Sequence, residues 1–223
     1  MGTKQLTIMK KLFITLLLFS GLLFVSCEND TTGNRSKVTH YPIITITGDK
    51  LVLLTQGDTY TELGATSLAG TQTRPVITTG TVDTATPGVY KINYKSFNTD
   101  GFSVTVTRAV IVFSPEPSTI NLEGTWVRNG ANVNEVTRLD DRKYKCSNAG
   151  GLAGPYTPDD NRVSLIFYNI DDVQIYAPYQ ENVSPTGLSA ETSVGTIVNP
   201  DKFTWVLYAS GVYGTSLRTF IRQ

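Results

Sequence analysis

Residues 89–113 run Val89-Tyr90-Lys91-Ile92-Asn93-Tyr94-Lys95-Ser96-Phe97, then Asn98-Thr99-Asp100-Gly101, then Phe102-Ser103-Val104-Thr105-Val106-Thr107-Arg108-Ala109-Val110-Ile111-Val112-Phe113. Tyr90, Ile92 and Tyr94 alternate with Lys91, Asn93 and Lys95. That is the period-two pattern of a strand with one face in a core and the other in water. Asn98 to Gly101 has the composition of a hairpin connection. The second strand is expected to face Phe102, Val104 and Val106 inward. Its far half is apolar on both faces, as Ala109, Ile111 and Phe113 show.

The same grammar extends on the N-terminal side. Ile43 to Thr47 reads as a strand turned by Gly48-Asp49, Leu51 to Thr55 as a second turned by Gln56-Gly57-Asp58, and Val76 to Thr79 as a third closed by Gly80. Thr86-Pro87-Gly88 is a turn in which proline fixes φ and glycine is free to take positive φ. Tyr, Phe, Val, Ile and Thr are abundant and long Ala/Leu/Glu/Lys runs are missing, an all-β composition. Strands at this spacing predict an antiparallel sandwich over 41–114.

The residues in this region also carry a resemblance. Gly57-Asp58-Thr59-Tyr60-Thr61-Glu62-Leu63-Gly64-Ala65, Gly80-Thr81-Val82-Asp83-Thr84-Ala85-Thr86-Pro87-Gly88-Val89-Tyr90 and Ile92-Asn93-Tyr94 resemble the Ig-like domain repeated in bacterial surface proteins, of the DUF5011 and HYR-like kind. Phe102 follows the Asp-Gly hairpin directly, where that family often has Gly or Asn. The resemblance implies an immunoglobulin-like fold with a spacer or scaffold role and no catalytic residue.

Ser114-Pro115-Glu116-Pro117-Ser118 contains two prolines that stiffen it and keep it out of a sheet, so 115–119 reads as a linker. Residues 120–223 then form a second β domain. Strands are expected at 124–128, 135–139, 143–147, 162–168, 173–176, 193–198, 202–208 and 216–222. Asp140-Asp141, Gly150-Gly151, Asp171-Asp172 and Asn199-Pro200-Asp201 lie in the connections. Short turns between sequential strands predict an antiparallel barrel or sandwich, with a lipocalin-like meander as one form. Gly124-Thr125-Trp126 resembles the Gly-x-Trp start of lipocalin-like domains. There a basic residue of the last strand packs over the tryptophan, a part open here to Arg218 or Arg222.

The N-terminus reads as an address. Lys10-Lys11 precedes the apolar run Leu12 to Val25, which ends at Ser26-Cys27: a basic region, a short apolar region and a small residue at a cut site. The run is short for a spanning helix. Residues 1–26 are expected to be a lipoprotein signal peptide and 27–40 a flexible polar tether. Phe24-Val25-Ser26-Cys27 resembles the lipobox of Bacteroidetes lipoproteins, which implies acylation of Cys27; several chains on one residue anchor stably where one is marginal. Glu28-Asn29-Asp30 resembles the signal for export to the outer face of the outer membrane. The layout as a whole is similar to BT_2262-like Bacteroidetes lipoproteins, which often accompany outer-membrane glycan-uptake machinery. Asp30-Thr31-Thr32 and Asp83-Thr84-Ala85 look like the short O-glycosylation signal of exported Bacteroidetes proteins.

Composition narrows the function. Loss of the signal removes Lys4, Lys10 and Lys11 from a chain of zero formal charge and leaves it about three charges acidic. With no basic run, it has no electrostatic footprint for nucleic acid. After lipidation Cys146 remains alone, so no internal disulfide forms. His40, the single histidine, falls in the tether, which cannot hold it for a catalytic triad. Asp140-Asp141, Asp159-Asp160 and Asp171-Asp172 are turn residues rather than acid/base pairs, although Asp159, Asp160 and Asn161 place hard oxygen ligands together as calcium would require. No cofactor and no metal centre is expected.

Glycan binding needs exposed aromatic faces beside polar side chains. Tyr156, Tyr179 and Tyr213 lie in loops and are the candidate contacts, whereas Trp205 alternates in phase with Phe203 and Leu207 and reads as core. The expectation is a non-catalytic outer-membrane lipoprotein facing the cell exterior. It would bind a polysaccharide or a protein of an outer-membrane complex; the alternative is a structural or adhesive protein.

Overall fold

The 89–113 hairpin is the centre of an N-terminal sandwich in a computed structural model, which describes residues 38–157, 160–209 and 211–223. The expected signal, Cys27, Asp30-Thr31-Thr32 and Asp159 lie outside the described residues. Seven strands form the sandwich: β1 Ile43–Ile46, β2 Leu51–Thr55, β3 Ala65–Ala69, β4 Gln72–Thr73, β5 Val76–Thr79, β6 Gly88–Phe97 and β7 Ser103–Phe113. One sheet has the order β1-β3-β4 and the other β2-β7-β6-β5. β2 runs parallel to β7, while β6 and β7 pair antiparallel from Phe97 opposite Ser103 to Gly88 opposite Val112.

Ile92 and Tyr94 are buried on one face of β6, as the alternation predicts, with Tyr90 half-buried and Ser96 buried on the same face. Phe102 departs from expectation. Asn98 accepts hydrogen bonds from the Phe102 and Asp100 amides through its side chain, which holds Phe102 in the turn before β7 begins. Its ring is 48% exposed and rests on Tyr41, with centroids 5.4 Å apart. Strands β3 and β4 were not expected. Their only buried residue is Ser67, while Leu68 faces outward opposite Ile43.

The Gly57–Ala65 motif serves a buried charge. Arg108 on β7 is fully enclosed. Its guanidinium meets the Glu62 carboxylate at 2.5 Å and donates to the carbonyls of Asp49 and Thr47. Glu62 also accepts from the hydroxyls of Tyr60 and Tyr94 and from the Gly64 amide. Burial alone would raise its pKa. The hydrogen bonds from Tyr60, Tyr94 and Gly64, with the charge of Arg108, override that and hold it at about 2.

Nine further strands follow: β8 Gly124–Arg128, β9 Asn132–Asp140, β10 Lys143–Cys146, β11 Leu165–Asn169, β12 Gln174–Tyr176, β13 Ala190–Thr192, β14 Gly195–Asn199, β15 Lys202–Ala209 and β16 Leu217–Arg222. β8 to β12 and β14 to β16 make an antiparallel meander, and β16 returns to β8 to close an eight-stranded barrel. β13 extends the β14 side of β15. Of the two forms the sequence allowed, barrel and sandwich, the barrel forms.

Its interior is filled by Trp126, Tyr144, Phe167, Phe203, Trp205 and Phe220, all buried. Their rings meet edge-to-face and stacked, Trp126 on Phe203 at 4.6 Å and Phe203 on Phe220 at 5.0 Å. An eight-stranded barrel is just wide enough for side chains to fill it, and these six do so. Cys146 points into the same core, where burial pushes its thiol up to about 12.

Gly-x-Trp acts at the closing seam. The Trp126 indole donates to the Leu122 carbonyl at 2.8 Å. Arg222, on the last strand, lies 4.5 Å over the ring, bonds the carbonyls of Glu123, Asn121 and Pro200, and pairs with Asp201 at 3.1 Å. Gly124 has φ +134°, and a Cβ there would sit 2.9 Å from the guanidinium. Glycine therefore makes room for the arginine. Arg218 goes elsewhere, to the carbonyls of Gly150, Ser216 and Gly214.

Sandwich and barrel pack together through apolar surface. Ala109 and Ile111 of β7 meet Tyr168, Ile170 and Tyr176 of the barrel's outer face, with Leu51, Val89, Phe113 and Ile166 around them. The segment between them is pinned to the barrel: the Ser114 amide donates to Ile170, Arg142 to the Glu116 carbonyl, and Ser118 and Thr119 to Asp172.

Two outcomes are expected. Glu62→Gln should lower stability at neutral pH by roughly 2–4 kcal/mol, somewhat less than a fully buried pair because the Glu62 side chain is 27% exposed. A carboxyl with depressed folded-state pKa stabilises fully above its unfolded value, near ~4.3, and loses that contribution as pH falls toward about 2. Thermal melts of wild type and variant should therefore converge across that acid window; a gap that persists unchanged would refute the assignment. Separately, Cys146 in the native chain should resist a disulfide-exchange reagent until denaturant opens the barrel, read as absorbance of the released thiol.

Candidate functional site

With the barrel interior occupied, the open hollows among the described residues lie on outer surfaces. One region runs along the outside of β9, β10 and β11. Lys145, Ser147, Tyr156, Arg162 and Ser164 line two adjoining hollows of about 440 and 530 Å³. Tyr156 comes from the connection between β10 and β11 and is 64% exposed. Much of the polar lining is already engaged. Arg162 pairs with Asp160 at 3.2 Å and bonds the Gly154 carbonyl. Ser164 donates to the Cys146 carbonyl.

A second hollow, of about 380 Å³, lies in the seam between sandwich and barrel. Its apolar surface comes from Leu51, Ala109 and Tyr176, continuous with the apolar core between sandwich and barrel. The sandwich contributes Lys50, Lys91, Thr105 and Thr107, and the barrel Pro178, Tyr179, Glu181 and Glu191. Lys91 pairs with Glu191 at 2.9 Å, and Lys50 with Glu181 at 3.9 Å. The Tyr176 hydroxyl donates to Glu191; burial first, then the Glu191 charge, raises its pKa. Tyr179 is 57% exposed, and its neighbours fix its backbone. Gln180 pairs with Ala190 through both its amide and its carbonyl, while its side chain bonds the amide and carbonyl of Ile166.

Tyr213 occupies a third place. Its hydroxyl donates to the Asn161 carbonyl at 2.7 Å, and the Arg218 guanidinium lies 5.3 Å over its ring. A Cβ on Gly150 would come within 2.3 Å of that ring. Burial, reinforced by the Asp160 charge, raises the Tyr213 pKa to about 12. Tyr156 thus lines the first two hollows and Tyr179 the one in the seam, while Tyr213 lines none of the three. Sequence reasoning missed Lys50, Lys91, Thr105 and Thr107, because they come from strands far from Tyr179 in the chain.

The groups weighed for chemistry are spread out. The His40 carbonyl accepts from Asn98 on the sandwich, and its ring lies over Gly70; Cys146 is inside the barrel. Asp171 accepts from the Val173 and Gln174 amides. Burial would raise the Asp172 pKa, but hydrogen bonds from Ser118, Thr119 and Asn169 lower it. Asp141 pairs with Arg138 at 2.8 Å. Among the described residues no group of three His, Cys, Asp or Glu could hold a metal ion. Asp83 accepts from the Ala85 amide and the Thr86 hydroxyl, which places Thr84 in a turn.

No curated protein matches the chain. Among solved structures, the lipoprotein BT2262 from Bacteroides thetaiotaomicron aligns with 82% of this chain and 100% of its own, at 22% identity and a TM-score of 0.35. A structure of the M60 catalytic domain with the CBM51-1 and CBM51-2 domains from Clostridium perfringens ZmpB aligns with 83% of this chain and 21% of its own, at 12% identity and a TM-score of 0.29. At such TM-scores neither likeness speaks to function. The sandwich is a different matter: residues 44–112 match the family model of the bacterial surface protein, Ig-like domain, and over that stretch the chain is similar to that family.

Proposed function

We propose that the chain is a non-catalytic, cell-surface lipoprotein, held at the outer membrane through an acylated Cys27, that binds a polysaccharide or a partner in outer-membrane glycan uptake. The observation that carries the binding role is the pair of exposed tyrosines, Tyr156 and Tyr179, each beside an open hollow with hydroxyl, amide and charged groups. An aromatic ring meets the C–H face of a sugar while polar neighbours bond its hydroxyls. The anchoring role is supported by Phe24-Val25-Ser26-Cys27 and the acids that follow it. Separation of His40 from Cys146, and the structural duties of the aspartates, support a role without turnover.

A second reading, an adhesive protein that binds other proteins, is favoured by the outer face of the β1/β3 pair. Ile43 and Leu68 stand opposite each other there and are 71% and 48% exposed.

The test is a glycan array on the soluble chain from Thr31 onward, which contains the whole compact unit from His40 to Gln223. A hit is expected that weakens in Tyr156→Ala or Tyr179→Ala by about tenfold, the effect of losing one aromatic anchor. A blank array with folded protein would overturn polysaccharide binding and favour the protein partner, to be sought by pull-down from intact cells.

A further inference from the structure

We infer that the seam between sandwich and barrel is a binding site for an uncharged polysaccharide, with Tyr179 as its stacking platform. This rests on the proposed glycan-binding role and narrows it to one site and one ligand class. Three observations support it.

The first is the mixture of surfaces. The Leu51, Ala109 and Tyr176 surface is apolar, and the Thr105 and Thr107 side chains add hydroxyls from β7. A pyranose is amphipathic in the same way, with C–H faces and an equatorial rim of hydroxyls. A purely apolar seam would suit a lipid or peptide side chain better, and a purely polar one would leave water in place.

Charge is the second. The seam holds two lysines and two glutamates, and each lysine is matched across the domain boundary: Lys91 with Glu191 and Lys50 with Glu181. Its net charge is zero. A uronate or sulfated chain would have to pull a lysine from its glutamate and leave a carboxylate beside its own charge. A neutral chain needs no such exchange, since paired carboxylates and ammonium groups still have hydrogen-bonding capacity for hydroxyls.

The third is pre-organisation. Tyr179 lies between Pro178, whose ring fixes φ, and Gln180, which is held by Ala190 and Ile166 on four hydrogen bonds. The exposed ring therefore projects from a fixed backbone, which reduces the ordering cost of binding. Tyr156 also follows a proline, and the carbonyl of its neighbour Thr157 accepts from the Asp160 amide, against the four bonds that hold Gln180.

The experiment is affinity electrophoresis and calorimetry of the chain from Thr31 onward, against neutral polysaccharides (glucans, mannans, galactans, xylans) and acidic ones (polygalacturonate, alginate, chondroitin sulfate). Binding to a neutral chain is expected, with affinity insensitive to salt because no net charge is neutralised. Tyr179→Ala should weaken it at least about tenfold, and by more than Tyr156→Ala does, while Tyr179→Phe should retain it. Circular dichroism would confirm that the variants fold. Neutral-glycan binding lost in Tyr156→Ala but kept in Tyr179→Ala would overturn the seam while leaving the glycan-binding reading intact. Salt-sensitive binding to acidic chains alone would overturn the ligand class. Failure to bind any polysaccharide would remove both readings together.

Discussion

The far half of β7 is buried from both sides, and both parts of the molecule are built against it. Val110 and Val112 turn toward the sandwich interior, whereas Ala109, Ile111 and Phe113 turn toward the barrel. β11 is the mirror case: Leu165 and Phe167 face into the barrel, and Ile166 and Tyr168 face the sandwich. Two strands standing back to back thus each serve two cores. A fully buried aliphatic side chain contributes about 1.5–3 kcal/mol. An exposed ion pair contributes about 0–1 kcal/mol, and Lys50–Glu181 is of that kind, with both side chains more than half exposed. Apolar contact therefore holds the parts together, and the cross-boundary charges decorate its edge.

At the opposite side of the barrel, one arginine reinforces the seam at which the meander closes. β16 meets β8 at Ile221 with Val127 and Arg222 with Trp126, and the Gln223 amide adds a bond to the Thr125 carbonyl, a short ladder for a seam. Arg222 reinforces it by covering the indole and bonding three carbonyls of the flanking segments. A guanidinium suits this position because its planar fork can stack and donate at once. Gly124, whose φ of +134° side chains rarely adopt, leaves open the space beside it. The Gly-x-Trp signature and the terminal arginine form one device separated by the whole length of the barrel.

Much of this was legible in the sequence, and what was not has physical reasons. Period-two alternation located β6 and β7 because one face of each is wet or the turn chemistry is strong. Each of the eight expected C-terminal strands has a counterpart in the barrel, since Asp, Asn, Gly and Pro punctuate it. β3 and β4 were invisible because their apolar residue, Leu68, faces water while a serine faces the core. Phe102 misled because phase alone placed it in the strand, whereas the Asn98 side chain captured its amide. The double-faced apolarity of Ala109 to Phe113 was visible as a pattern, but nothing local could name the partner covering it. For the candidate sites, Tyr179 was legible as a loop aromatic beside proline. Its companions were not, because Lys91 reads as an ordinary solvent-face residue until the barrel brings Glu191 to it.

Those long-range pairings bear on where binding can occur at all. A small antiparallel barrel can hold a ligand in its mouth or interior, as its topology suggests, only if its side chains leave room. Here six aromatic rings occupy that volume, and the hollows lined by Tyr156 and Tyr179 lie outside the barrel. On a single β domain the outside is mostly convex, and convexity gives a ligand little surface to bury. Packing a second β domain against the barrel produces a concave seam that neither would have alone. The sandwich supplies half of the seam's polar groups, Lys50, Lys91, Thr105 and Thr107, and the barrel the other half.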